Sequence, residues 1–325
     1  MKSFNFILLP PVYLLSIILP MSFSSWLTMW AGLEINMFLF ILTMTHSPSV
    51  FANEMKMKYF LVQSFSSLIF LLTMNINFHS FEETALLNKI VPSLAILLKM
   101  GASPLHSWAP QIACKLPQES LMMFLTLQKI PPLFIINSFN WSGLIWVSLI
   151  NMIVGTIMGI SESNTIKILI FSSINNIGWM LICMLMSLSI FILFFTIYFT
   201  LTSLAITFLK SMKTKWISQI KSPQKMEKIV FYSNMMSLGG LPPLLGFAPK
   251  WIIISKMIYF NILVTSIIVV TSIPLLFFYI KMSINLIMCF SMEKKWMNKS
   301  FSMNIWLNSM SFVNLMGMPL FFTLT

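Results

Sequence analysis

With 325 residues, 58% of them hydrophobic and 9% charged, the chain departs from soluble proteins, in which about 25% of residues are charged. That composition excludes a water-soluble globular domain. The net charge of +12 does not point to nucleic acid either, because the lysines lie in short loops between apolar runs and form no basic face with aromatic stackers.

Apolar runs of about 20 residues predict eleven spanning helices, near residues 4–20, 25–45, 57–76, 86–114, 118–137, 142–160, 164–186, 189–209, 228–258, 261–285 and 303–323. No cleavable presequence stands out before the first, which has a single Lys2 ahead of its apolar run. The second carries Trp30-Ala-Gly-Leu-Glu-Ile-Asn36, which puts Glu34 inside a span. A charge there costs about 2.5–3.5 kcal/mol at the helix centre, and its default reading is functional. The fourth is interrupted by Gly101-Ala-Ser-Pro104, with Lys99 two residues before the break. Lys99 is thereby expected near the carbonyl end of a half-helix, where unpaired C=O groups and the dipole support an ammonium. Glu34 is expected to pair with it, since a buried pair is tolerable where a lone ion is not.

In the fifth segment Lys129 precedes Pro131-Pro132. Neither proline has an N–H for the carbonyls of Leu127 and Gln128, so those carbonyls are expected to stay available to water beside a central relay. The ninth is broken at Gly239-Gly-Leu-Pro-Pro243 and Gly246-Phe-Ala-Pro249. Lys250 follows Pro249, at the expected first position of a new half-helix, whose positive end disfavours an ammonium. His106, with Ser103, Ser107 and Asn36, either extends the path toward the matrix side or is a structural histidine. Lys256 and Lys281, near segment ends, read as snorkelling lysines.

Alternating the loops between two sides places Lys56, Lys58, Lys115, Lys210, Lys213, Lys215, Lys221, Lys225, Lys294, Lys295 and Lys299 on the side of the amino terminus. The opposite loops hold little beyond Glu82, Glu83 and Lys89. The positive-inside rule then puts the amino terminus on the matrix or cytoplasmic side and the carboxyl terminus on the other. The expected fold is an all-α integral membrane protein, a single membrane domain over 1–325. It comprises two inverted five-helix repeats, about 4–137 and 142–285, each with one discontinuous helix, plus a C-terminal helix at about 303–323. Broken helices at matching places of inverted halves mark an intramembrane site.

Cys114, Cys183 and Cys289 form no C-x-x-C, and His46 and His79 read as loop residues. Neither a metal, an iron–sulfur cluster nor haem is expected, and no glycine fingerprint for a nucleotide is present. The chain has no Arg and no Asp but 29 Met and 30 Phe. Such usage suits a very AT-rich gene read in an organellar code.

These motifs resemble the subunit 2 family of mitochondrial NADH dehydrogenase, the antiporter-like membrane subunits of respiratory complex I. The resemblance rests on Trp30–Asn36, Lys58-Tyr-Phe-Leu-Val-Gln-Ser64, Lys99-Met-Gly-Ala-Ser-Pro-Leu-His-Ser-Trp108, Leu125-Thr-Leu-Gln-Lys-Ile-Pro131, Ser172-Ser-Ile-Asn-Asn-Ile-Gly-Trp179 and Ser237–Trp251. It implies a proton-pumping subunit of the inner mitochondrial membrane, with Glu34 and Lys99 as a coupled pair, Lys129 as central relay and Lys250 as the link toward a neighbouring antiporter-like subunit. It also implies that NADH, flavin, iron–sulfur clusters and ubiquinone are used in other subunits, none in this chain. The partners would be other complex I membrane subunits and lipids. The chain departs from the family at Ser163-Asn-Thr-Ile-Lys167, Gln111 and Leu127. A free-standing cation antiporter and a purely scaffolding subunit are the competing functions.

Overall fold

The computed structural model describes residues 2–22, 25–44, 50–77, 87–139, 141–212, 214–219, 225–288 and 314. His46, His79, Glu82, Glu83, Lys213, Lys221, Cys289, Lys294, Lys295, Lys299 and all of the expected helix 303–323 except Asn314 lie outside the described residues. The described residues are helical, with no β-strand among them. Among the described residues, seven helical segments are long and apolar enough to cross a membrane: Trp26–Thr43, Asn53–Asn75, Gln118–Ser138, Leu144–Ser161, Thr165–Met186, Leu188–Met212 and Ile262–Ile284. Their outward residues are apolar, as at Leu61 and Ile157, because lipid rather than water is the solvent for that face.

The chain divides into two compact units, Met1–Ile145 and Trp146–Thr325. In the first, α1 (Lys2–Ser22) packs on α2 (Trp26–Thr43), and α3 (Val50–Asn77) packs on both α2 and α4 (Leu87–Met100). After a break come α5 (Trp108–Ala113), α6 (Gln118–Leu125) and α7 (Ile130–Ser138), the last seated against α1, α2 and α4. In the second unit α8 (Leu144–Ser161) is followed by α9 (Thr165–Met186), of which 94% is buried. Against it pack α10 (Leu188–Met212), α12 (Phe247–Phe260) and α13 (Ile262–Met288), while α11 (Lys225–Gly239) packs on α10 and α13. The α8–α9 contact depends on missing side chains: a Cβ on Gly178 would sit 2.6 Å from the Ser148 carbonyl oxygen, and one on Gly155 2.8 Å from that of Phe171. Small residues let membrane helices approach this closely.

Both sequence-marked interruptions end their half-helices in the same way. Ala102 N–H donates to Leu97 O at 3.0 Å and Gly101 N–H to Leu98 O at 3.1 Å; Leu241 N–H donates to Met236 O at 3.2 Å and Gly240 N–H to Ser237 O at 3.0 Å. These are Schellman caps, which place the residue after the helix in the left-handed region. Gly101 has φ 69° and Gly240 φ 89°, conformations open to glycine at no steric cost. The spacing matches as well, since Gly101, Pro104, Leu105, Trp108, Ala109 and Pro110 correspond one for one to Gly240, Pro243, Leu244, Phe247, Ala248 and Pro249. At corresponding places Lys99 is matched by Leu238, and Lys250 by Gln111.

Two expectations are corrected. The segment 118–137 is not one regular helix, because Thr126 (φ −119°, ψ −76°) breaks it and Leu127–Lys129 form a 3-10 turn. The proline pair is the cause: with no N–H from Pro131, the Leu127 carbonyl accepts from Ile130 N–H instead. That carbonyl is therefore not the free acceptor expected. Lys250 is also not the first residue of its half-helix, which begins at Phe247.

Candidate functional site

The first unit gathers polar side chains from α1, α2, α3, α4 and the 3-10 turn into its interior. Gln128 is the hub. Its Nε2 donates to the Tyr13 hydroxyl at 2.9 Å and to Asn36 Oδ1 at 3.4 Å, while its Oε1 accepts from Asn36 Nδ2 at 3.3 Å and Tyr59 hydroxyl at 3.4 Å. Ser16 Oγ donates to Asn36 Oδ1 at 3.4 Å. Apart from the 2.9 Å bond to Tyr13 these are long, near the limit of useful geometry, so Asn36 and Tyr59 are held loosely. Aromatic rings wall it: Phe40 lies 5.1 Å from Tyr59 and 6.4 Å from Tyr13 between ring centroids.

Lys99 stands in the last turn of α4, as the placement of its break requires, and only 8% of it is exposed. Gln63 Nε2 caps its backbone carbonyl at 3.0 Å. The ammonium itself has no hydrogen-bond partner among the described residues. It faces a cavity of about 10 Å³ whose polar lining is Asn36, Tyr59, Gln63 and Gln128. Such a space admits about one water, which needs two to four polar partners, and the lining provides them.

Glu34 is half-buried on α2, one residue away from the inward stripe Leu33, Asn36, Met37 and Phe40. Its charge acts on Lys99 and Tyr59 through space, but it does not touch Lys99. The ion pairs at or below 4.0 Å among the described residues are Lys115–Glu54 and Lys167–Glu162. The expected contact pair is thus a separated pair, because the 100° step of a helix turns residue 34 off the stripe that carries residues 33 and 37.

Lys129 ends the 3-10 turn with 4% exposure, next in sequence to the hub Gln128. His106 makes a local contact, its Nδ1 lying 3.2 Å from Pro104 O. Ser103 is buried and Ser107 exposed.

In the second unit Lys250, 7% exposed, reaches back across its break. Its Nζ donates to Leu238 O at 3.1 Å and Gly239 O at 2.8 Å, the last carbonyls of α11. Those groups carry the negative end of the helix dipole. The positive-end environment expected for Lys250 is therefore corrected, since five bonds of side chain carry the amine away from its own helix start. The Trp179 ring lies 5.9 Å from Nζ, within cation–π range. Gly240 is open for the same reason, as a Cβ there would stand 2.9 Å from Lys250 Cδ and 3.0 Å from Nζ. A cavity of about 20 Å³ beside Lys250 is lined by Asn176, Tyr198 and Ser237 among others. The backbone carbonyl of Asn314, the one described residue of the C-terminal stretch, accepts from Leu245 N–H at 3.2 Å.

Sequence reasoning assigned no role to the side chains of Tyr13, Tyr59, Gln63 and Gln128. A signal was available for two of them: Tyr59 and Gln63 are four residues apart in an apolar run, hence on one helix face.

The transmembrane family described as NADH:quinone oxidoreductase/Mrp antiporter matches residues 24–275. NADH-ubiquinone oxidoreductase chain 2 of Anopheles gambiae is 32% identical over 310 residues, covering 90% of this chain and 88% of that one. Its counterpart from Oryctolagus cuniculus is 34% identical over 249 residues, covering 72% and 71%. Among solved structures, a chain of Thermus thermophilus respiratory complex I superposes with a TM-score of 0.85 at 18% identity, covering 97% of this chain and 78% of that chain. A chain of the Mrp complex from Dietzia sp. DQ12-45-1b superposes with a TM-score of 0.77 at 18% identity, covering 86% and 60%. At such identities the structures establish the fold, and the sequence matches establish kinship. The chain belongs to the NADH:quinone oxidoreductase/Mrp antiporter family, among the NADH-ubiquinone oxidoreductase chain 2 proteins.

Proposed function

We propose that this chain is a proton-translocating subunit of respiratory complex I in the inner mitochondrial membrane, performing no redox step itself. Its neighbours would be other membrane subunits of the complex, including a second antiporter-like one, with NADH, flavin, iron–sulfur clusters and ubiquinone handled elsewhere. The observation that carries this reading is the Lys99 amine: it is buried, lacks a hydrogen-bond partner among the described residues and adjoins a water-sized polar cavity. A structural lysine would have its donors satisfied, because an unpaired buried charge is costly. An amine kept beside a water site, with Glu34 acting on it from a distance, is placed to exchange a proton when that distance changes.

A shift of the Glu34–Lys99 separation by neighbouring subunits would alter the proton affinity of Lys129, and Lys250 would take the proton next. His106 would serve at the entry side. The twin Schellman caps and matched spacing of the two breaks, together with the division near residue 145, support two inverted five-helix repeats, about 4–137 and 142–285, with an eleventh helix near 303–323. Lysine-rich loops on one side support a matrix-facing amino terminus and a carboxyl terminus in the intermembrane space. The test is Lys129→Met in the assembled complex. Quinone reduction should persist while fewer protons move per electron pair; undiminished proton transfer would refute the relay.

A further inference from the structure

The second unit holds a groove of about 490 Å³ that the relay does not use, lined by Ser163, Trp216, Ser218, Phe277, Lys281 and Ile284 among others. It is built by two loops tied together. Thr165 N–H donates to Lys215 O at 3.0 Å and Ile217 N–H to Ser163 O at 3.1 Å, forming a bridge between Asn164 and Trp216.

Lys281 does not snorkel freely, as its position near a segment end suggested. Its Nζ donates to Ile160 O at 3.1 Å and Glu162 O at 3.4 Å, the carbonyl end of α8. An ammonium has three donors, so one N–H remains for a ligand. The acid nearest the groove, Glu162, is neutralised by Lys167 at 3.0 Å. Exposed Ser163 and Ser218 add hydroxyls, and Trp216 is 48% exposed. Below this polar rim run Phe277 and Ile284, which are exposed at 56% and 41%.

We propose that this groove binds the phosphate of an anionic phospholipid, with its acyl chain along Phe277 and Ile284. Charge decides the occupant. Lys281 lines the groove and Lys215 adjoins its rim residue Trp216, and basic pockets between helices suit anionic headgroups. A tryptophan at the rim suits the water–lipid boundary. The chain's own stretch 289–300 contains three lysines and a single glutamate, so its charge does not complement Lys281.

The test is photolabelling of the assembled complex in phosphatidylcholine nanodiscs doped with a photoactivatable cardiolipin or, separately, a photoactivatable phosphatidylcholine. Peptides holding 216–218 and 277–284 should be labelled by the cardiolipin probe, and Lys281→Gln should lower that labelling about fivefold, the effect of one basic residue at a membrane surface. Ser218→Asp, which leaves the Lys281 bonds to α8 intact, should lower it comparably. Equal labelling by the two probes would overturn the proposal. So would crosslinking of the groove to stretch 289–300 or to a neighbouring subunit in place of lipid.

Discussion

Replacing Gly240 with alanine separates the backbone of the second break from the lysine that crosses it, and Gly101→Ala is its internal control. Both glycines sit at positive φ, where an L-residue costs about 1–2 kcal/mol. At Gly101 the nearest atoms to the new methyl would be apolar, Ala109 Cβ at 3.0 Å and Trp108 Cζ2 at 3.3 Å. At Gly240 it would meet Lys250 Cδ at 2.9 Å and Nζ at 3.0 Å. The lysine would have to swing away and give up its 2.8 Å bond to Gly239 O, and a charged hydrogen bond contributes about 1.5–3 kcal/mol. The expected destabilisation is thus about 1–2 kcal/mol for Gly101→Ala and about 2.5–5 kcal/mol for Gly240→Ala. Resistance to denaturant of the assembled complexes measures the first difference. Protons moved per NADH oxidised in proteoliposomes measures the second: Gly240→Ala should pump less at a given rate of oxidation, while Gly101→Ala should keep its ratio. If the two variants match in both measurements, Lys250 does not depend on the open face of Gly240 and the reasoning fails.

Gln128→Leu removes the hub of the Tyr13–Asn36–Tyr59 cluster and strands its partners in a dry interior; a loss of about 1–3 kcal/mol is expected, seen as a lowered melting temperature of the complex, and full stability would contradict the network. Gly178→Val drives side-chain atoms into the Ser148 carbonyl, a backbone atom that cannot step aside, so assembled complex should fall sharply on native gels, whereas Gly159→Ala, which meets only the Phe278 ring edge at 3.2 Å, should assemble. Asn164→Ala deletes the side chain that accepts from Ile166 N–H at 3.0 Å at the start of α9 and should cost about 1 kcal/mol, measurable as earlier thermal loss of the complex without a change in proton stoichiometry.

Much of this molecule is written locally. Length and apolarity of a run decide whether it lies in lipid, since each residue's transfer energy is nearly independent of its neighbours, and Gly101, Gly240 and their prolines mark the breaks because backbone sterics act within a few residues. The same local rules explain why Lys99 stands at a helix end. The third break, at Thr126, is encoded just as locally by Pro131 and Pro132, with no glycine to mark it.

What only the tertiary structure decided is where side chains point. Lys250 turns back to the carbonyls of the preceding half-helix, Glu34 stands off from Lys99, and Gln128 joins residues from three other helices. Each outcome depends on atoms far apart in sequence. A lysine side chain spans several ångströms, and its carbonyl partners compete at energies of a few kcal/mol, so position along the chain cannot select among them. Packing does so, by fixing which backbone carbonyl or cavity lies within reach.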